Sequence, residues 1–290
     1  MNDISAHERD LSVDNAIDSH LHYLLLADLA PSTIRRRAEA LRRMERIMRR
    51  PLLMASGRDI IAWRSAMTVS TMTAISYISH ARAFYNWALK HGYICRDPME
   101  GIPVPRAPRY MPRPISEDDL ATALRHAPDR IRPWIALAAG CGLRAKEIAL
   151  LRRSCVMDKA PAPAILVASD ATKGRYERVV FLAPPVLGEL YRAGLSANGW
   201  VFRRLDGADG PNSPARVSWL ANRYLHEIGI SATLHMCRHR FGTQLYAVHK
   251  DLRMVQEMMG HQSPAATQGY ADWNRQSAIE AVALMPFPIV

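Results

Sequence analysis

The 290-residue sequence predicts a mainly α protein with a small antiparallel β-sheet, split into a helical N-terminal domain and a mixed α/β second domain. Three observations predict it. Apolar residues recur at helical spacing through most of the chain; a proline-dense stretch at 101–114 interrupts the pattern; and the period becomes extended only around 164–182. The expected division is 1–100 helical, 101–114 linker, 115–273 second domain and 274–290 tail.

An apolar fraction of 49% supports a real core and excludes a disordered chain. Net charge is +11 and pI about 9.9, and most of the cations are arginine, since lysine occurs only at 90, 146, 159, 173 and 250. Such a balance asks for a polyanion. Nucleic acid is favoured over a membrane because no apolar run approaches the roughly 20 residues needed to span a bilayer. The polar, acidic N-terminus lacks the pattern of a signal peptide, so a cytoplasmic protein is expected. Cys95, Cys141, Cys155 and Cys237 form no C-x-x-C pair and read as reduced packing residues.

In order, residues 14–29 place Ile17, Leu21, Leu24 and Leu25 at helical spacing, and Pro31-Ser32-Thr33 supplies a break and a cap for the next helix. That second helix divides sharply. Ile34, Ala38, Leu41, Met44 and Met48 share one face, and Arg35, Arg36, Arg42, Arg43, Arg46, Arg49 and Arg50 share the other; Arg37 and Glu45 break the rule. A charged face is usually only solvated. Here the sign is nearly uniform, which costs self-repulsion unless a counter-charge arrives, so a DNA-facing helix is favoured. Ser56-Gly57 ends that region, and helical segments follow at 58–67 and 70–91, the latter with Ile75, Ile78, Ala81 and Tyr85 as a core stripe.

The linker is extended and stiff, and its Arg106 and Arg109 either contact backbone phosphates or belong to a plain spacer. The second domain opens at Ser116, a cap for a helix with Glu117, Asp118 and Asp119 in its first turn. An apolar helix at 131–139 closes at Gly140-Cys141-Gly142, and a helix at 145–151 follows, with Arg144 at the junction and Glu147 one turn on, which either fixes its guanidinium over a site or forms a plain surface ion pair. Runs 164–169 and 175–182 read as a hairpin with Lys173 at its tip, a residue that could swing into a groove or be merely solvated. Helices at 184–193 and 214–228 flank a loop.

The richest stretch is 234–270, which holds His235, Arg238, His239, His261 and Tyr270. Arginine forks match phosphate oxygens, and a tyrosine hydroxyl, with an unperturbed pKa of about 10, needs cationic neighbours to become a nucleophile. Gly260 reads as the C-cap of a short helix at 252–259. A metal at His235, Cys237, His239 and His261 is disfavoured, since positions i, i+2 and i+4 on one helix do not share a centre and the arginines repel a cation.

Together GCGLRAKEIALLRRSCV, TKGRYERVVFL, LHMCRHRFGTQL and DLRMVQEMMGHQSPAATQGY resemble the tyrosine recombinase (phage integrase) family. The N-terminal APSTIRRRAEALRRM and ISYISHARAFYNWALKHGYICRDPMEGI look like that family's helical core-binding (SAM-like) domain. The resemblance implies a tyrosine-recombinase catalytic domain in which Arg144 and Arg238 clamp the scissile phosphate and Tyr270 attacks it, leaving a 3′-phosphotyrosyl link. It implies that His235 and His261 hydrogen-bond the phosphate and help manage the tyrosine proton, that Lys173 protonates the leaving 5′-oxygen, and that Glu147 and His239 orient the arginines and pack the site. It requires no ATP, metal or other cofactor. It implies double-stranded DNA as partner, a homo-tetramer on two sites formed from monomers, an accessory directionality factor, and a tail that docks on a neighbouring protomer. Cys237, Met259 and Ala266 depart from the family pattern as packing changes, and with the core-binding helices so near the start the simple two-domain kind, without an arm-binding domain, is expected. A type IB topoisomerase-like relaxing enzyme and a catalytically silent DNA-binding regulator remain as alternatives.

Overall fold

The computed structural model describes residues 16–106, 113–172, 176–195, 198–204, 206–249, 251–260 and 282–286. The chain divides into two compact units, Met1–Tyr110 and Met111–Val290.

In the first unit four helices, α1 (Ala16–Leu26), α2 (Pro31–Met48), α3 (Gly57–Ser65) and α4 (Thr71–Lys90), enclose Leu41, Met44, Leu52, Ile60, Trp63, Ile78, Phe84 and Tyr85. Three local expectations change. The cap of α2 is not Ser32 or Thr33: Ala30 holds that position with no side-chain bond, and Pro31 starts the helix because its fixed φ suits the first turn. Ser56 does not end a region but opens α3, with its hydroxyl accepting from the Asp59 N–H and the Asp59 carboxylate accepting from the Ser56 N–H. On α1 the face is also shifted, for Leu25 is exposed while His20 is buried against Phe84 and Trp87.

The second unit is built round α6 (Arg132–Cys141), a helix buried from Pro133 to its end. Its all-apolar circumference is the signature of a central helix. It packs against α10 (Leu234–His249), with α5 (Glu117–His126), α8 (Pro184–Arg192) and α9 (Pro214–Glu227) completing the shell. Ser116 caps α5 as its sequence predicts. Gly142 ends α6 at φ 65°, where an added Cβ would overlap the Phe241 ring.

The antiparallel hairpin is present but shorter than the extended runs: β2 (Ala164–Val167) pairs with β3 (Arg178–Phe181), Ile165 opposite Val180 and Val167 opposite Arg178. A two-residue strand, β1 (Val156–Met157), adds to β2 on its other side, giving the order β1-β2-β3. The helix after Arg144 is also shorter, α7 (Ala145–Ala149). The last helix, α11 (Leu252–Met259), ends at Gly260 with φ 62°. Part of the tail is described: Val282 and Met285 are buried in the core of this unit. Among the described residues no helix is long and apolar enough to cross a membrane.

Candidate active site and nucleic-acid interface

The turn at Gly142 delivers Arg144 to the start of α7, with extended backbone at the cap position. Glu147, in the first turn of α7, reaches back: its Oε2 accepts from the Arg144 N–H at 2.8 Å and its Oε1 from Arg144 Nη1 at 2.9 Å. The predicted pairing is therefore present. The carboxylate is only 2% exposed and carries more than that one arginine. Arg178, at the start of β3, bonds it with both fork nitrogens, Nη1 to Oε1 at 3.0 Å and Nη2 to Oε2 at 2.8 Å. Arg238, one turn into α10 and 1% exposed, stands 3.7 Å from Oε2.

The same three arginines meet a second partner. Successive carbonyls at the end of α11 each accept from one of them: Met258 from Arg178 Nε at 2.9 Å, Met259 from Arg238 Nη2, and Gly260 from Arg144 Nη2 at 2.9 Å. Helix C-termini leave carbonyls unpaired and carry partial negative charge, so cations belong there. Arg238 Nη1 also donates to the Gly142 carbonyl. Gly260 is required at its place: besides its positive φ, an added Cβ would lie 2.6 Å from the Tyr176 hydroxyl and 2.9 Å from Arg178 Nη1.

Charge explains the character of the cluster. Burial alone would raise the pKa of Glu147, but the bonds and charge of Arg178, the Arg144 N–H and the charge of Arg238 outweigh it and hold the carboxyl below its ordinary value. Glu147 is thus ionised at neutral pH. Burial, reinforced by the charge of Arg144, lowers Arg238 to about 9, which still leaves it cationic at pH 7. Three guanidiniums face one carboxylate, so the cluster carries a net positive charge.

His235 and His239 lie one turn apart on α10 with ring centroids 4.5 Å apart. Burial lowers the pKa of both; for His235 the charges of His239, Arg238 and Arg144 add to it, and for His239 that of Arg238. Both imidazoles are neutral at pH 7, each able to donate one hydrogen bond and accept another.

The structure thus gathers Arg144, Glu147, Arg238, His235 and His239. Lys173, His261, Tyr270 and Arg109 lie outside the described residues. Their neighbours are placed: Lys146 Nζ donates to the Asp170 carbonyl at 2.7 Å, and the Thr172 hydroxyl accepts from the Tyr176 N–H at 3.2 Å, so both sides of the β2–β3 turn are tied down. Gly260 immediately precedes His261. Sequence reasoning missed Arg178, Lys146 and a second buried arginine, Arg240, whose fork grips Glu117 at 2.7 and 2.8 Å and which also bonds the Pro286 carbonyl. A charged residue at an inward position of a β-rich run was the available signal for Arg178. Among the described residues no group of three His, Cys, Asp or Glu side chains gathers as metal ligands would.

In the first unit Arg35, Arg36, Arg42, Arg43, Arg46, Arg49 and Arg50 are all exposed, while Arg37 and Glu45 are half-buried, in keeping with their departure from the pattern. The face is not uniformly free: Arg42 pairs with Asp18 at 2.7 Å and Arg50 with Asp59 at 3.0 Å. Arg36, Arg43 and Arg46 line a groove of about 340 Å³ with Ser76, Tyr77 and His80 of α4. Arg106 is exposed as well.

Comparison with known proteins follows the same lines. The model of the phage integrase family matches residues 114–277. The tyrosine recombinase XerC of Rhodospirillum centenum is 33% identical over 233 residues, covering 74% of this chain and 66% of that protein, just under two thirds of its length. The tyrosine recombinase XerD of Pseudomonas aeruginosa is 30% identical over 236 residues, covering 74% of this chain and 76% of that protein. Among solved structures, the integrase from mycobacterium phage Brujita matches with a TM-score of 0.52 at 26% identity, over 93% of this chain and 92% of that one. A lambda integrase tetramer bound to a Holliday junction matches with a TM-score of 0.69 at 16% identity, over 94% of this chain and 82% of that one, which is a likeness of fold. With a family model over more than half its length and relatives at this identity, the chain belongs to the phage integrase family, the tyrosine-type recombinases.

Proposed function

We propose that the protein is a site-specific DNA recombinase that cuts and rejoins strands through a 3′-phosphotyrosyl intermediate. The observation that carries this reading is the buried carboxylate of Glu147 set among Arg144, Arg178 and Arg238, a centre with positive charge to spare for one phosphate. Arg144 and Arg238 hold the non-bridging oxygens. Tyr270 attacks phosphorus: the tyrosyl O–P bond forms, the P–O5′ bond breaks, and the 5′-oxygen leaves with a proton from Lys173. His235 and His261 hydrogen-bond the phosphate and manage the tyrosine proton; Glu147 and His239 hold the arginines and pack the site. Negative charge grows on the phosphoryl oxygens in the transition state, so donors already fixed in place supply most of the acceleration. The phosphodiester energy is kept in the tyrosyl bond, so neither ATP nor a metal is consumed. An incoming 5′-hydroxyl from a second duplex reverses the step and exchanges strands.

The first unit serves as the core-DNA-binding domain, with the α2 arginines, Arg106 and Arg109 on backbone phosphates. Four protomers assemble on two duplex sites from monomers in solution, and an accessory factor sets direction. The work is done in the cytoplasm, where the DNA is. Docking of the tail on a neighbour requires Val282 and Met285 to leave their own core, or another part of 274–290 to make the contact.

A nicked suicide duplex tests the chemistry. Native protein traps a covalent adduct and Tyr270→Phe traps none; an adduct with Tyr270→Phe overturns the assignment. Relaxation of a supercoiled plasmid that lacks paired sites would favour the topoisomerase-like alternative.

A further inference from the structure

Arg178 makes no contact that the proposed chemistry uses, yet it takes the best of Glu147. An ionised carboxylate offers about four acceptor positions. In this site all are filled: Oε1 by Arg144 Nη1 and Arg178 Nη1, Oε2 by the Arg144 N–H and Arg178 Nη2. Arg238 is left outside at 3.7 Å with no hydrogen bond to the carboxylate. Arg178 itself is 8% exposed, and its third nitrogen position is spent on the Met258 carbonyl.

We propose that Arg178 is a positioning residue that saturates Glu147, so that Arg238 stays out of hydrogen-bond contact with the carboxylate and remains available to the scissile phosphate. This rests on the recombinase reading above. Glu147 has two tasks that conflict. It must fix Arg144, yet a buried carboxylate attracts any nearby guanidinium strongly. Arg178 resolves the conflict by occupying the two acceptor positions that would otherwise draw Arg238 across the 3.7 Å gap. Without it, Arg238 closes on Glu147 and turns away from the phosphate.

The test is single-turnover cleavage of the nicked duplex by the native protein, Arg178→Met, Arg178→Lys and the double variant Arg178→Met/Glu147→Gln. The first-order rate constant is independent of the fraction folded, which alters only the amplitude. Arg178→Met should cleave about a hundredfold more slowly with duplex affinity within about threefold of native, since a fully buried pair is broken away from the DNA contacts. The double variant removes the trap along with its guard and should cleave at least about tenfold faster than Arg178→Met, a coupling that neighbours in one network show. Arg178→Lys keeps the charge but not the fork and should be about tenfold slower than native at normal amplitude, which carries the test if Arg178→Met does not fold. A double variant no faster than Arg178→Met, a native rate constant in Arg178→Met, or a native rate constant in Arg178→Lys overturns the inference. Absence of any adduct with native protein, or its presence with Tyr270→Phe, overturns the recombinase reading instead.

Discussion

Arginine is used in opposite ways in the two units. Around Glu147 the guanidiniums are buried or half-buried, bonded to carbonyls and carboxylate, and fixed in direction. Along α2 and just past its end all but Arg37 are exposed, and the ion pairs they make, Arg42 with Asp18 and Arg50 with Asp59, lie at the surface. Exposed pairs contribute little and yield readily to a phosphate. The first arrangement suits charge that develops in a transition state; the second suits affinity gained by releasing counterions from DNA. On the proposed function, one residue type serves rate in one place and grip in the other, and burial decides which.

The comparison is broken most severely by exchanging fork for point charge at the centre. Arg238→Lys should lower the single-turnover cleavage rate about a hundredfold or more while leaving the salt dependence of duplex binding unchanged, as seen by filter binding at several ionic strengths. A parallel fall in both would mean that Arg238 is a general phosphate contact. A smaller effect is expected from Gly260→Ala, whose Cβ meets the Tyr176 hydroxyl and the Arg178 guanidinium. The expected result is about a tenfold slower cleavage, with a loss of about 1–2 kcal/mol in stability from the strained backbone, measured by thermal melting. The comparison is sharpened by the smallest change. Arg43→Gln should reduce the slope of log affinity against log salt by about 0.9, one phosphate contact, with cleavage at saturating DNA unaltered. Arg42→Gln should reduce it less, because Asp18 already neutralises that side chain; equal slopes would show that the pair opens fully on DNA.

What was legible in the sequence is what local physics determines. The faces of α2, the cap at Ser116, the turn at Gly142 and the Gly260 stop all depend on residues within a turn or two of one another. The Arg144–Glu147 pair is equally local, three positions apart. Arg178 pairs with the same carboxylate across 31 positions and Arg240 with Glu117 across 123, and no periodicity carries such information. β1 spans two residues, too few for an alternation to register. The cap of α2 departs from the sequence expectation because serine and threonine are good caps in general, whereas here Pro31 pre-sets the first turn and the hydroxyl residues fall inside the helix.

The comb of carbonyls at Met258, Met259 and Gly260 also constrains length. Each backbone step along a helix turns the next carbonyl by about 100° and advances it about 1.5 Å. Removing or adding one residue within α11 would rotate every tooth away from its arginine at once, with no side chain in the centre altered. The spacing of that helix is therefore as much a part of the machinery as the identity of the groups it meets.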